Sequence, residues 1–429
     1  MKLSLTNIGK VKKADIEING ITVIAGENNT GKSTVGKVLF CIFNAFFNVE
    51  QQVREEQIQA VKHIIERNLD EVETFFSTQI ISEQIGEYIA DKTEATGSFE
   101  SEEVLSLIPD AIKRFNEQHK NILEPNPFSE DLTRQLSDRL RIPSDMIVQR
   151  LLNARMYSMF NGQINDIYSD EPGGISLTIK SNPLSIIVID NEIEQMDGSF
   201  NLKTEAIYID NPFIIDERRH SVPKYRRVGL RRNYDYRTHL INLLSKDNKN
   251  SNVIDEILIA EKFDAIFNEI GLESELNMYS NKRSRSIGTN PTSEKKKLDT
   301  KNLSTGLKTF LIIKTLLDNG TIQQNGTIIL DEPEIHLHPE WQILFAKLIV
   351  LIQKEFGMHI LLNTHSPYFL RAIQVYSAEY GIADMCKYYM SELVEGVAYI
   401  NDVSDDIEQI YKKLAMPFQK LEDDRWNND

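Results

Sequence analysis

Apolar and polar positions divide the chain into an α/β beginning, a long helical stretch and an α/β end. Met1 to Ile8 alternates apolar and polar residues, the period of a strand with one buried face. Ile21-Thr22-Val23-Ile24-Ala25 is an apolar run suited to a buried strand. Val35 to Phe47 has no proline and only one glycine, Gly36, and predicts a buried helix. From about residue 50 to 165 apolar residues recur at helical spacing, as at Ile58, Val61, Ile64 and Ile65. Pro125, Pro127 and Pro143 break that stretch into several helices rather than one long coiled coil. After the break Asp170-Glu171-Pro172-Gly173-Gly174, two strands are predicted, Ile175 to Lys180 and Leu184 to Ile189. With a third, Ala206 to Ile209, they predict a small β subdomain joined to the first lobe. Helices are then expected to about residue 275, and a polar linker over 279–300. The last part predicts a helix from Thr309 to Leu317 and strands at Thr327–Leu330, Ile360–Leu362 and Val397–Ile400. An amphipathic helix from Asp406 to Leu414 is expected to stop at Pro417. The fold class is therefore α/β. The expected organisation is a first lobe of 1–47 with 166–215, a helical insertion 48–165, a basic segment with linker 216–300, and a second lobe 301–429.

Two remote stretches carry the chemistry. Gly26-Glu27-Asn28-Asn29-Thr30-Gly31-Lys32-Ser33-Thr34 fits G-x-x-x-x-G-K-S/T. It follows a predicted strand and opens a predicted helix, the context in which backbone N–H groups and a helix N-terminus face phosphates. That context disfavours a chance match on a glycine turn. Lys32 would neutralise the β- and γ-phosphates, and the Ser33 hydroxyl would ligate Mg2+. In Thr327-Ile328-Ile329-Leu330-Asp331-Glu332-Pro333-Glu334, an apolar strand ends in two adjacent carboxylates. Asp331 would bind Mg2+ directly or through water, and Glu332 would polarise the attacking water as general base. Alone, two acids at a strand end are as readily a solvated pair; beside the loop they acquire a role. The candidate nucleotide contacts are Gly26, Asn28, Asn29, Thr30, Gly31, Lys32, Ser33 and Thr34, and the implied cofactors are ATP and Mg2+.

Asn302-Leu303-Ser304-Thr305-Gly306-Leu307-Lys308 precedes the Thr309 helix, and Asn363-Thr364-His365-Ser366-Pro367 follows the Ile360 strand. This order of motifs resembles the heads of ABC-type ATPases, which include SMC and RecF-like proteins. Asp331-Glu332-Pro333-Glu334-Ile335-His336-Leu337-His338-Pro339 followed by T-H-S-P looks like the OLD-type and RecF-like ATP-binding proteins of bacteria and phages. The match covers roughly the first 50 and the last 130 residues. It implies an ABC/SMC-type P-loop head with a mixed central sheet, hydrolysing ATP to ADP and phosphate. It also implies an ATP-sandwich homodimer or higher even oligomer, with Ser304, Thr305 and Gly306 of one chain facing the γ-phosphate held by the other. His365 stands at the family's switch-histidine position; the plainer alternative is a surface histidine at a strand end. Thr305 and Leu307 depart from the family signature L-S-G-G-Q, and an ordinary helix N-cap is the other reading of Ser304. The family's glutamine loop has no glutamine here; the strand ending at Asp210-Asn211-Pro212 is its candidate equivalent. OLD-type nucleases carry a TOPRIM domain after the ATPase, and the chain after His365 is expected to be too short for one. The resemblance thus implies an ATPase subunit acting with a separately encoded effector, a nuclease or toxin, in bacterial anti-phage defence. The alternatives are a RecF-like DNA-binding ATPase of repair and an ATP-dependent scaffold with little turnover; an intact Glu332 speaks against the second.

Composition narrows the partners. A net charge of −16 excludes a uniformly basic DNA-binding surface. The charge is uneven: residues 51–110 hold 14 acids against four Lys/Arg, and residues 218–237 hold eight Lys/Arg against Asp235. Arg226, Arg227, Arg231 and Arg232 are candidate contacts to DNA or an acidic partner, with a solvated face fitting equally well. Lys282, Arg283, Arg285 and Lys295-Lys296-Lys297 form a second basic cluster. The cysteines, Cys41 and Cys386, suggest packed thiols rather than a disulfide framework, in keeping with a reducing cytoplasm. No signal peptide and no apolar run near the ~18 residues of a membrane span is expected, so no membrane partner is either. His336 and His338 would face one way only on a strand; with Pro339 next, a structural role in the loop is expected. Lys12 or Lys13 would either touch base or ribose or lie on a solvated face.

Overall fold

The computed structural model describes residues 1–69, 78–96, 101–119, 130–217, 235–246, 265–271 and 300–426. The described chain forms two compact units, one of Met1–Asn44 with Leu152–Asp429 and one of Ala45–Leu151.

The first unit is built on a mixed sheet of eleven strands in which both ends of the chain take part. β1 (Lys2–Ile8) and β2 (Val11–Glu17) form an antiparallel hairpin whose alternate residues Leu3, Leu5, Ala14 and Ile16 are buried. β4 (Gly173–Ile179), β5 (Asn182–Ile189) and β6 (Glu192–Asp197) extend it as a meander from β1. On the other side of the sheet lie β3 (Ile21–Gly26), β7 (Ala206–Ile209), β8 (Thr327–Asp331) and β9 (His359–Thr364). These four run parallel in the order β3-β9-β8-β7. Parallel strands are covered on both faces, which is why their sequences are near-continuous runs of Ile, Leu and Val. β10 (Cys386–Val394) pairs parallel with β3, and β11 (Val397–Asp402) links β10 to β2.

Around the sheet stand α1 (Lys32–Phe46), α7 (Tyr236–Leu244), α8 (Thr305–Asp318), α9 (Pro339–Phe356), α10 (Pro367–Glu379) and α11 (Glu408–Trp426). Phe310, Phe345 and Phe369 interlock among these helices at centroid distances of 5.2 and 6.0 Å. The second unit contains α2 (Val49–Leu69), α3 (Thr78–Thr96), α4 (Ser101–His119) and α5 (Glu130–Leu140). Its own core includes Ile65, Ile81, Ile85, Ile89, Ile112 and Phe115; Ile81, Ile85 and Ile89 recur every four residues along one face of α3. α6 (Ser144–Phe160) leads back to the sheet.

Three elements differ from the sequence expectation. Ala206–Ile209 does not join β4 and β5 in a subdomain; as β7 it closes the opposite edge, hydrogen-bonded to β8. Its neighbours are chosen by non-local packing that strand periodicity does not encode. α11 runs through Pro417 instead of stopping there, because Ile407, Ile410, Tyr411 and Leu414 already anchor it on the core. α8 begins at Thr305, a turn earlier than its apolar run. Among the described residues no helix is long and apolar enough to cross a membrane. Cys41 and Cys386 are buried free thiols, and burial pushes the Cys41 thiol up to about 12.

Candidate functional site

Because β3, β9, β8 and β7 are parallel, their carboxyl ends open on the same side of the sheet, where ligands of open α/β sheets bind. β3 ends at Gly26, and α1 begins at Lys32. The turn between them tolerates no side chain at its two glycines. A Cβ at Gly26 would lie 2.2 Å from the Ser391 carbonyl oxygen, and one at Gly31, where φ is +82°, would lie 2.6 Å from Val11 Cγ2. Thr30 Oγ1 donates to the Glu27 carbonyl at 2.8 Å, and the Ser391 hydroxyl donates to the Thr30 carbonyl at 2.5 Å, closing the turn. Asn28 is exposed, Asn29 takes φ +64°, and the Thr34 N–H donates to Gly31 O at 3.1 Å. Lys32 is 4% exposed. Its Nζ donates to Gly26 O at 3.2 Å and Glu27 O at 2.7 Å, and lies 3.7 Å from Glu332 Oε1. Burial holds its pKa below the usual lysine value despite the nearby carboxylates.

The structure brings the remote stretches together. Ser33 Oγ donates to Asp331 Oδ1 at 3.0 Å. Asn363 Nδ2 donates to the same oxygen at 2.8 Å, and the Tyr208 hydroxyl donates to Oδ2 at 2.6 Å. Glu332 sits in the left-handed region at φ +50°, uncommon for a residue with a side chain, with its N–H bonded to Asn363 O at 3.0 Å. His365 Nδ1 lies 3.6 Å from Glu332 Oε1 and 3.9 Å from Glu334 Oε1. The His365–Glu332 contact lowers the Glu332 pKa and raises that of His365. Glu334 is 2% exposed, and burial raises its pKa. Its Oε1 accepts from the Thr364 hydroxyl at 2.5 Å and the His365 N–H at 2.9 Å, tying the end of β9 to the turn after β8.

Tyr208, Asn363 and Glu334 had no assigned role in the sequence. Glu334 lies inside the acidic motif and Asn363 beside the histidine motif, so position alone flagged them. Nothing marks Tyr208. At the end of β7 no glutamine approaches the site; Asp210 stands there, its carboxylate accepting from the Tyr236 hydroxyl at 2.5 Å.

Ser304, Thr305 and Gly306 form the N-terminus of α8. Ser304 Oγ accepts from the Leu307 N–H at a long 3.5 Å. A Cβ on Gly306 would lie 3.3 Å from Leu337 and 3.4 Å from Trp341, so this end of α8 packs on the turn and helix after β8. A narrow cleft beside the site is lined by Asp210, Asn211, Thr309, Glu332, Pro333 and His336. His336 meets the Phe213 ring edge-on at 5.6 Å, and His338 occupies the N-cap of α9. Lys12 is paired with Glu171 at 2.6 Å and Lys13 with Asp15 at 3.8 Å. Arg226, Arg227, Arg231 and Arg232 lie outside the described residues, as does the second basic cluster.

A hydroxyl and a carboxylate oxygen 3.0 Å apart are hard donors of the kind Mg2+ takes, with substrate phosphates completing its shell. The side-chain-free turn beside them suits close approach of a phosphate to backbone N–H groups. The residues therefore fit a magnesium nucleotide.

The sequence profile of a family described as "AAA domain, putative AbiEii toxin, Type IV TA system" matches residues 21–371. Among solved structures, an SMC head domain from Thermotoga maritima aligns over 94% of this chain and 98% of its own, at 10% identity and a TM-score of 0.35. An Smc head bound to the C-terminal winged-helix domain of ScpA aligns over 95% and 98%, at 12% identity and a TM-score of 0.38. An Smc head with an extended coiled coil, bound to a ScpA C-terminal domain derived from Pyrococcus furiosus, aligns over 99% and 98%, at 11% identity and a TM-score of 0.28. No curated protein matches the chain.

Proposed function

We propose, from the premise that the chain belongs to this AAA-domain family, that it binds ATP with Mg2+ and hydrolyses it to ADP and phosphate. The observation that supports this most is the 3.0 Å contact between Ser33 and Asp331, with Lys32 and His365 both drawn to Glu332. In this reading the backbone of Gly26 to Gly31 and the side chains of Lys32 and Thr34 hold the phosphates. Asn28, Asn29 and Thr30 shape the turn. Ser33 and Asp331 hold Mg2+, which when bound neutralises phosphate charge. Glu332, whose pKa the His365 contact lowers further, accepts the proton of the attacking water. His365 holds that carboxylate in place and reaches toward the departing phosphoryl group.

Ser304, Thr305 and Gly306 form the N-terminus of α8, and helix N-termini favour an anion. We assign them to the γ-phosphate of an ATP held by a second copy, in a two-fold dimer that opens on hydrolysis. The toxin system in the family's description supports the finer reading: this ATP-gated dimer regulates a separately encoded effector, a nuclease or toxin, in bacterial anti-phage defence. ATP turnover and sedimentation of Glu332→Gln test the core of the proposal. The variant should bind ATP, fail to turn over and accumulate as a dimer; wild-type turnover would remove Glu332 from its role. Co-expression with the neighbouring open reading frame tests the effector arm. Growth that is the same with wild type and with Lys32→Ala would remove it.

A further inference from the structure

Tyr208 on β7 is 1% exposed. Its ring lies edge-on to Phe40 of α1 at 5.9 Å and to Tyr236 of α7 at 5.1 Å. Gly36 makes room for this packing: a Cβ there would come 3.3 Å from Tyr208 Cε2 and 2.7 Å from Ile329 Cγ2. A ring wedged on these sides has one place for its hydroxyl, and that place is 2.6 Å from Asp331 Oδ2. The other donors to this carboxylate, Ser33 and Asn363, both address Oδ1. The two oxygens are therefore engaged differently. One is held by a buried phenol, and the other is turned toward Ser33.

We propose that Tyr208 is a positioning residue for the metal-binding carboxylate: its hydroxyl locks the plane of Asp331 so that Oδ1 is presented beside Ser33. The proposal rests on the reading of Ser33 and Asp331 as Mg2+ ligands. The terminal torsion of an aspartate is broad and roughly two-fold, so a carboxylate without a donor on Oδ2 samples orientations that hold a metal poorly. A donor bonded to the far oxygen removes that freedom before the metal arrives. Partners of this kind are typically worth about 10- to 100-fold in metal affinity.

The test compares full-length wild type, Tyr208→Phe and Tyr236→Phe. Phenylalanine at 208 keeps the ring contacts and removes only the hydroxyl. Tyr236→Phe breaks the bond to Asp210 and leaves the bonds to Asp331 intact. ATP binding is measured calorimetrically in EDTA and across a Mg2+ titration. Tyr208→Phe should bind ATP in EDTA as wild type does, yet need roughly 10-fold more Mg2+ for half-saturation. Tyr236→Phe should keep the wild-type metal requirement. An unchanged requirement in Tyr208→Phe, or an equal shift in both variants, would overturn the proposal. Mn2+ binding read by electron paramagnetic resonance in the cold supplies the same comparison should Tyr208→Phe melt early. Wild type that binds no nucleotide with or without metal would instead remove the underlying reading of the site, a different failure from that of Tyr208.

Discussion

The floor of the site, where α1 meets the ends of β8 and β9, and the N-terminus of α8 are built in opposite ways. On the floor, charged groups are bound from several sides. Asp331 accepts from Ser33, Asn363 and Tyr208; Lys32 donates to two carbonyls; Glu334 accepts from Thr364 and His365. A further brace joins the Ser366 hydroxyl to Gln342 at 2.5 Å, and Gln342 to Leu337 O at 3.0 Å. Among the described residues, the start of α8 has one side-chain cap bond, of 3.5 Å, with Ser304 exposed and Thr305 and Gly306 half-buried. A floor bonded in this way holds its side chains close to one another before a ligand arrives. A helix N-terminus is instead a favourable place for an anion. The dimer proposal turns on this contrast: one region is assembled within a single molecule, and in the proposal the other is completed by a second.

The largest expected effects test the floor. Glu332→Gln should lower ATP turnover by roughly 10²- to 10⁴-fold, the usual worth of a positioned general base, while nucleotide affinity holds. A steady-state phosphate-release assay checks this, and a drop below tenfold would mean that the carboxylate is not the base. Lys32→Ala should weaken ATP binding by about 100-fold, since a charge-assisted contact contributes about 1.5–3 kcal/mol. Calorimetry showing wild-type affinity would detach the loop from the phosphates.

Smaller effects separate rigidity from completeness. Gly36→Ala forces a methyl against Ile329 and Tyr208. Overpacking of this kind costs about 1–3 kcal/mol, set against a helix-propensity gain of up to ~1 kcal/mol. A net loss in chemical denaturation, accompanied by a higher Mg2+ requirement, would show that the closeness of α1 to the sheet serves the metal site. Ser304→Ala should leave the ATP affinity of the monomer untouched and weaken ATP-dependent dimerisation by roughly tenfold, the scale of a lost cap-type hydrogen bond. Sedimentation with and without ATP reads it. If monomer affinity falls instead, α8 belongs with the floor and the contrast between the two regions collapses.

How much of this was legible in the sequence depended on whether the signal was local. The strand Ile21–Ala25, the glycine turn and the helix after it were readable because composition and spacing along one short stretch dictate them. Asp331 and Glu332 were readable as neighbours at the end of an apolar run. β6 was not, since Glu192, Glu194, Gln195 and Asp197 make it polar, as an edge strand must be. β10 was hidden by Ser391, a buried hydroxyl in a core position that exists to bind the Thr30 carbonyl. Tyr208 was the least legible: a tyrosine in a buried strand reads the same whether its hydroxyl meets the Asp331 carboxylate or a backbone carbonyl. The partner is fixed only when β7 takes its place beside β8, a choice made by tertiary packing.

The smallest expected effect is the pH dependence of the floor itself. His365 has a folded pKa above its ordinary 6.5, chiefly through its contact with Glu332, and Glu332 has one below its ordinary 4.5, chiefly through the same contact. A histidine whose pKa rises on folding contributes stability that is complete below 6.5 and is lost as pH climbs through the higher folded value. A glutamate whose pKa falls contributes above 4.5 and loses that contribution as pH drops through the lower folded value. The pair therefore stabilises the nucleotide-free protein most between those two limits. Both groups are partly solvent-exposed, so screening keeps the contribution on the order of 0.5 kcal/mol. Melting of wild type and His365→Gln without nucleotide should differ more at about pH 6 than at high pH, because the histidine contribution is lost as pH rises. A gap that is equal at both pH values would mean that the histidine carries no charge facing Glu332. The carboxylate would then depend on Lys32 alone, and the floor would be less firmly pre-bonded than its contrast with α8 requires.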